Sequence, residues 1–210
     1  MTELELQSEY VMDFFCRRAD GLGFREIKNN AVSPDLFIPA NLYEFLKENS
    51  RKAWNNLLKK SEYNGDEQKL LRAIMDMIRE KIEASANVAI FLNKNRTITF
   101  EGETLQLIYV SGSELRGDED FNKNIFAAVE EMSYSFHDAK KIFAFRPDLS
   151  FFVNGIFLGY AELKSNFTNQ TAKTNGRNKI ITDYLEAVWE YTKIANGNDV
   201  SQTLRRRMLR

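Results

Sequence analysis

At 210 residues the chain is long enough for one large domain, or for one domain with a small appendage. Such a chain buries roughly 70% of its unfolded surface and needs neither a disulfide nor a structural metal. Hydrophobic residues make up 43% and charged residues 28%, which excludes a disordered chain. A net charge of −1 excludes the global basic character of many nucleic-acid binders. Cys16 and His137 are the only residues of their types, so disulfide frameworks, Cys-rich zinc sites and two-histidine metal sites are excluded as well. No apolar run approaches the ~20 residues of a membrane span. The polar start MTELELQSE is not that of a secretory signal, so a cytoplasmic chain is expected. In that setting the N-x-S/T matches at Asn95, Asn166 and Asn169 carry no glycosylation.

The elements follow in chain order. Leu4 to Arg18 is expected as a helix with Leu4, Val11, Phe14, Phe15 and Arg18 near one face, ended by Gly21 and Gly23. Residues 24–38 read as irregular, with Pro34 and Pro39 as breakers. Asn41–Asn49 and Ser50–Lys60 read as two helices or one kinked helix that buries Leu42, Phe45, Leu46, Trp54, Leu57 and Leu58. Asn64-Gly65 marks a turn, and Asp66 caps a helix to Ala84 with a stripe of Leu71, Ile74, Ile78 and Ile82. Val88–Leu92, Thr97–Phe100 and Thr104–Val110 then read as strands, followed by an acidic loop over 111–120. Ile125–Phe136 reads as one long strand with Ile142–Phe145 as a lead-in. Asp148–Val153 and Ile156–Leu163 flank Asn154-Gly155, a strong hairpin signal. Beyond a polar loop, Ile180, Ile181, Tyr184, Leu185, Val188 and Tyr191 form a helical stripe. Val200, Leu204 and Met208 open another helix that the chain end cuts short, as expected of a fragment of a longer protein. Helices, then strands, then helices imply an α/β fold with a mixed sheet and a helical insertion at about 34–84.

Charge is unevenly spread. Leu163–Thr182 carries Lys164, Lys173, Arg177 and Lys179 and no acid, and the last residues carry Arg205, Arg206, Arg207 and Arg210. A basic stripe on a neutral protein suits a phosphate-binding face; a solvated loop and tail explain it equally well. Cys16, Trp54 and Trp189 fall on apolar stripes and read as packing, and His137 in SFHDAKK reads as a surface residue.

With no GxxxxGK[ST] motif and one histidine, the remaining chemistry is that of carboxylates and lysine assisted by a divalent metal. Arg146-Pro147-Asp148 is followed after 13 residues by Glu162-Leu163-Lys164. Acid-x-lysine also occurs at Glu26, Glu67 and Asp138, so spacing alone decides nothing. Context separates Glu162-x-Lys164, which ends an apolar strand whose hairpin partner begins at Asp148. Charged groups at the ends of buried strands are costly unless used or paired. Two carboxylates and the Leu163 carbonyl are hard oxygen ligands for Mg²⁺, and lysine can orient or deprotonate a water. A buried ion pair of Lys164 with Asp148 or Glu162 is the competing explanation. A two-residue Asn-Gly turn would set Asp148 opposite Ala161 and point Glu162 to the other face. The site therefore calls for a three- or five-residue loop, or a bulge near Asp148.

The phrase RPDLSFFVNGIFLGYAELK resembles the PD-(D/E)xK nuclease core, specifically the N-terminal nuclease domain of the type I restriction enzyme R (motor) subunit. Asn166 to Thr171 and the stretch Asp35–Leu58 are similar to family segments, so the resemblance covers about residues 5–195. It implies a restriction-endonuclease-like fold and Mg²⁺-dependent cleavage of double-stranded DNA, with Asp148, Glu162 and Lys164 catalytic and Asp148, Glu162 and Leu163 at the metal. It also implies an acid from the first helix, for which Glu9 and Asp13 are open alternatives. DNA contacts from Gln170, Lys173, Arg177, Lys179 and Tyr184 follow by the same resemblance, although Ile180 stands where a family glutamine is expected. Residues 1–195 would be the nuclease domain and 196–210 the start of a link to an ATP-driven translocase, the only part expected to use ATP. Methyltransferase and specificity subunits would be partners. A non-catalytic module with a decayed site, or a different PD-(D/E)xK repair nuclease, are the alternatives.

Overall fold

The computed structural model describes residues 6–85, 87–111, 119–138 and 141–163. The fold is α/β and restriction-endonuclease-like, with helices and a mixed four-stranded sheet. Its strands run in the order β1 (Arg25–Glu26), β4 (Phe126–Glu130), β7 (Leu149–Val153) and β8 (Ile156–Ala161). Two antiparallel ribbons accompany it, β2 (Thr97–Phe100) with β3 (Glu103–Gln106), and β5 (Tyr134–Asp138) with β6 (Lys141–Phe145). The chain divides into two compact units, one of residues 30–127 and 151–159, the other of 1–29, 128–150 and 160–210.

The first unit holds the helices α1 (Pro39–Asn49), α2 (Arg51–Leu58), α3 (Glu67–Glu83) and α4 (Val88–Lys94). Pro39 opens α1 instead of breaking a helix, since a first-turn residue has no partner for an N–H and proline's φ is already helical. Asp66 caps α3 by accepting from the N–H groups of Gln68 and Lys69 at 3.0 and 2.9 Å. The buried stripe of α3 is Leu70, Ile74 and Ile78; Leu71 and Ile82 are only half-buried. Val88–Leu92 is helical, not a strand. Asn87 accepts from the Ile90 N–H at 2.8 Å, and an N-cap of this kind outweighs the β preference of Val88 and Ile90. Trp54, Leu57, Phe45, Leu46 and Tyr63 close the core of this unit with Val153 and Ile156.

The turn at Asn154-Gly155 has φ of 50° and 78°, the double left-handed geometry of a two-residue hairpin. Asn154 is fully buried, and its side chain is used at both ends. Its oxygen accepts from the Ile125 N–H at 2.7 Å, and its amide donates to the Leu107 carbonyl at 2.8 Å and to Asn124 Oδ1 at 2.9 Å. A Cβ on Gly155 would lie 2.5 Å from the Ile38 carbonyl oxygen, so no other residue fits there.

In the other unit the helix Leu6–Arg17 is wound wider than an α-helix. Its last turn is closed by the Arg18 N–H donating to the Asp13 carbonyl, five residues back, at 2.9 Å. Its buried anchor is Met12, and Phe14 is exposed, a departure from the expected face because the wider turn shifts which residues align. The expected strand Ile125–Phe136 is two strands, broken at Glu131, whose φ is 46°. The ladder beyond the break keeps its register. The Glu131 N–H donates to the Asp148 carbonyl at 3.0 Å, and Tyr134 pairs with Phe145 in step with it. The lead-in Ile142–Phe145 is thus a paired strand. The helices expected after residue 163 and the centre of the acidic loop lie outside the described residues.

Replacing Asn154 by alanine leaves the Ile125 N–H and the Leu107 carbonyl buried without a partner. Asn154→Ala is expected to lower unfolding free energy by about 3 kcal/mol, read as a lower urea midpoint at unchanged m-value.

Candidate functional site

The end of β7 and the end of β8 carry the residues of interest, all in one unit. Alternate residues of a strand bond to alternate neighbours. Asp148 gives its carbonyl to Glu131 of the β4 side, so Pro147 and Leu149 face β8. A two-residue turn makes Val153/Ile156 a hydrogen-bonded pair, and counting back in regular register makes Phe151/Leu158, Leu149/Tyr160 and Pro147/Glu162 the following ones of that kind. Pro147 has no N–H to give to the Glu162 carbonyl, and β8 ends at Ala161.

The expectation of a three- or five-residue loop is overturned, because the turn has two residues. Face alternation binds only residues inside the ladder, and Glu162 stands beyond the last residue of β8, Ala161. The consequence is visible at Leu163. In a continued ladder its N–H would point away from β7. Instead it donates to Asp148 Oδ2 at 2.5 Å, so the chain has rotated out of the sheet after Ala161. A charge-assisted bond of this kind fixes the carboxylate's orientation.

Glu162 is half-buried, and its charge reaches Tyr160. Burial first, then the Glu162 carboxylate, push the Tyr160 phenol above its ordinary value. Arg146 lies 3.5 Å from Glu131 across the base of the β5–β6 ribbon. Pro147, next to Arg146 in the chain, is buried.

A second charged group adjoins on the N-terminal helix, β1 and β4. Arg17 grips Glu26 through two bonds of 2.8 Å, and this holds the Glu26 carboxyl below the usual range. Glu130 is raised above its ordinary value, chiefly by burial, with Glu26 and Glu131 adding to the rise and Arg17 opposing it. Burial pushes the Cys16 thiol up to about 11, so it is protonated at neutral pH and suits packing rather than nucleophilic chemistry.

Asp13 lies 3.9 Å from Arg18. Among the described residues no three or more Asp, Glu, His or Cys side chains are grouped to hold a metal. The Glu9 side chain lies outside the described residues, as do Lys164, Gln170, Lys173, Arg177, Lys179 and Tyr184. The donor set that the structure brings to one end of the hairpin is two carboxylates beside the Leu163 peptide. All are hard oxygen ligands, of the type that suits Mg²⁺ and not a softer metal. Glu130, Glu131 and Pro147 escaped the sequence reading as neighbours of the site. A proline beside a strand acid was the available signal.

A family model described as Type I restriction enzyme R protein N terminus matches residues 1–200. The chain belongs to this family. No curated protein and no solved structure matches it. Among the described residues no helix is long and apolar enough to cross a membrane.

The raised Glu130 carboxyl gives a pH test of this environment. The native state holds that proton to higher pH than the unfolded chain does, so this contribution to stability is full at acid pH and declines as pH rises through the folded value. Glu130→Gln is therefore expected to raise the melting temperature by about 1–2 °C at pH 7 and to leave it unchanged near pH 4, measured by thermal denaturation across that range.

Proposed function

We propose that the chain is a Mg²⁺-dependent endonuclease domain that hydrolyses phosphodiester bonds of double-stranded DNA within a type I restriction enzyme R subunit. The observation that carries this reading is the Asp148 carboxylate held by the Leu163 N–H, which ties the first acid to the Glu162-Leu163-Lys164 run. Asp148, Glu162 and the Leu163 carbonyl are the residues that would hold the ion. When bound there, Mg²⁺ supplies acidification of water and neutralisation of charge at the scissile phosphate.

The chain's own residues do the rest. Asp148 is pre-oriented by its backbone donor, so little reorganisation accompanies binding. Lys164 follows directly on the chain; its ammonium would orient the attacking water and stabilise charge on the phosphoryl oxygens. The basic stripe of Lys173, Arg177 and Lys179, with Gln170 and Tyr184, would contact the DNA backbone, which gives affinity without sequence preference. Target choice would belong to a specificity subunit acting with a methyltransferase subunit in the cytoplasm, and ATP to a translocase region C-terminal to this domain.

Plasmid nicking in Mg²⁺ against EDTA tests the reading. Glu162→Ala and Lys164→Ala should each reduce cleavage by at least about 100-fold, with melting temperatures near that of the wild type. Cleavage that survives both substitutions refutes it.

A further inference from the structure

The two-residue turn creates a conflict that the chain resolves at one residue. Carried on regularly, the β7–β8 ladder would pair Asp148 with Ala161, set Glu162 on the opposite face and turn the Leu163 N–H outward. The third does not hold at the end of the hairpin, where β8 stops at Ala161 and the Leu163 N–H reaches Asp148 Oδ2. The next hydrogen-bonded pair on this side would be Pro147/Glu162. Proline withholds the donor that this pair needs, and its fixed φ of about −65° is poorly matched to a central strand.

We propose that Pro147 is a positioning residue that ends the ladder so that Asp148 and Glu162 leave their opposite faces and converge on one site. The proposal rests on the reading of those two acids as metal ligands. Pro147 touches neither substrate nor metal in this account and acts through the backbone of residues 161–163. Its burial and the left-handed Glu131, which bonds to the Asp148 carbonyl from the other side, hold the segment from both flanks. Of the two strands bordering β7, one therefore keeps Asp148 in register by its main chain, while the other is released from it. The release lets the Asp148 side chain, and not its main chain, meet β8.

Pro147→Ala restores the N–H. The ladder is then expected to extend to Glu162, and the Leu163 N–H to turn away from Asp148. The full chain is compared with this variant by three measurements. In hydrogen exchange, peptides covering 147–163 should exchange about tenfold more slowly in the variant. In calorimetry without DNA, Mn²⁺ should bind about tenfold more weakly, the scale on which supporting contacts tune a metal site. The Mg²⁺ concentration for half-maximal nicking should rise by the same factor, while the melting temperature stays level or rises. This pattern separates positioning from plain structural support, since a merely structural proline would lower the melting temperature and leave exchange faster. Pro147→Gly restores the same N–H with weaker strand preference and should shift all three measurements less.

Slower exchange with unchanged Mn²⁺ affinity overturns the proposal, as does weaker Mn²⁺ binding that comes only with a lowered melting temperature. Failure of both variants to fold overturns it too, because ladder extension should be harmless to the fold. Wild-type chain that binds no Mn²⁺ sinks the metal reading and this proposal with it. Wild-type binding beside an indifferent Pro147→Ala variant sinks this proposal alone.

Discussion

Register in an antiparallel hairpin is set at its turn, and everything at the open end inherits it. Here the turn is Asn154-Gly155, two residues in left-handed conformations, locked by an asparagine whose side chain satisfies three buried groups. The alternative of a longer loop would leave the Ile125 N–H and the Leu107 carbonyl without the partner they have. Gly155, wedged against the Ile38 carbonyl, forbids any side chain that would relax the turn. The parity of every residue down to Leu149 and Tyr160 follows, and a ladder continued in that parity would set Asp148 and Glu162 on opposite faces.

A protein has few ways to change parity within a hairpin. It can insert a bulge, lengthen the turn, or stop the ladder before the residues that matter. The first two alter the packing of the strand interior, where Leu149, Phe152, Val153 and Ile156 are buried. The third leaves that interior alone and acts only on the last pair. Stopping the ladder also disposes of backbone groups that would otherwise be held apart from the side chains. The Leu163 N–H becomes available to a carboxylate, where it is worth more than a neutral hydrogen bond.

This explains which parts of the molecule could be read from the sequence. The Asn-Gly hairpin, the Asp66 cap and the α3 stripe were legible because each is a local rule carried by a few adjacent residues. The phrase holding Asp148 and Glu162 was legible, but the turn was not: of the two expectations, a longer loop or a bulge near Asp148, the two-residue turn overturns the first. Pro147 stands beside Asp148 within the phrase, and its missing N–H is a local physical clue. Val88–Leu92 was misread because β-branched residues in a short apolar run carry no period, and only the cap at Asn87 separates helix from strand. The π-type winding of Leu6–Arg17 had no signature at all, so Phe14 was placed inside and Met12 was passed over.

The same logic bears on why acids are found at this point of a sheet. A carboxylate inside a central ladder has buried apolar neighbours on both faces and no water, and it would take a proton rather than stay charged. Glu130, inside β4, shows that tendency, with its carboxyl pushed up by burial. Asp148, one pair further along, accepts a backbone N–H from Leu163. A metal needs the ionised form, and the strand end is where the fold can provide one without exposing the acid fully to water.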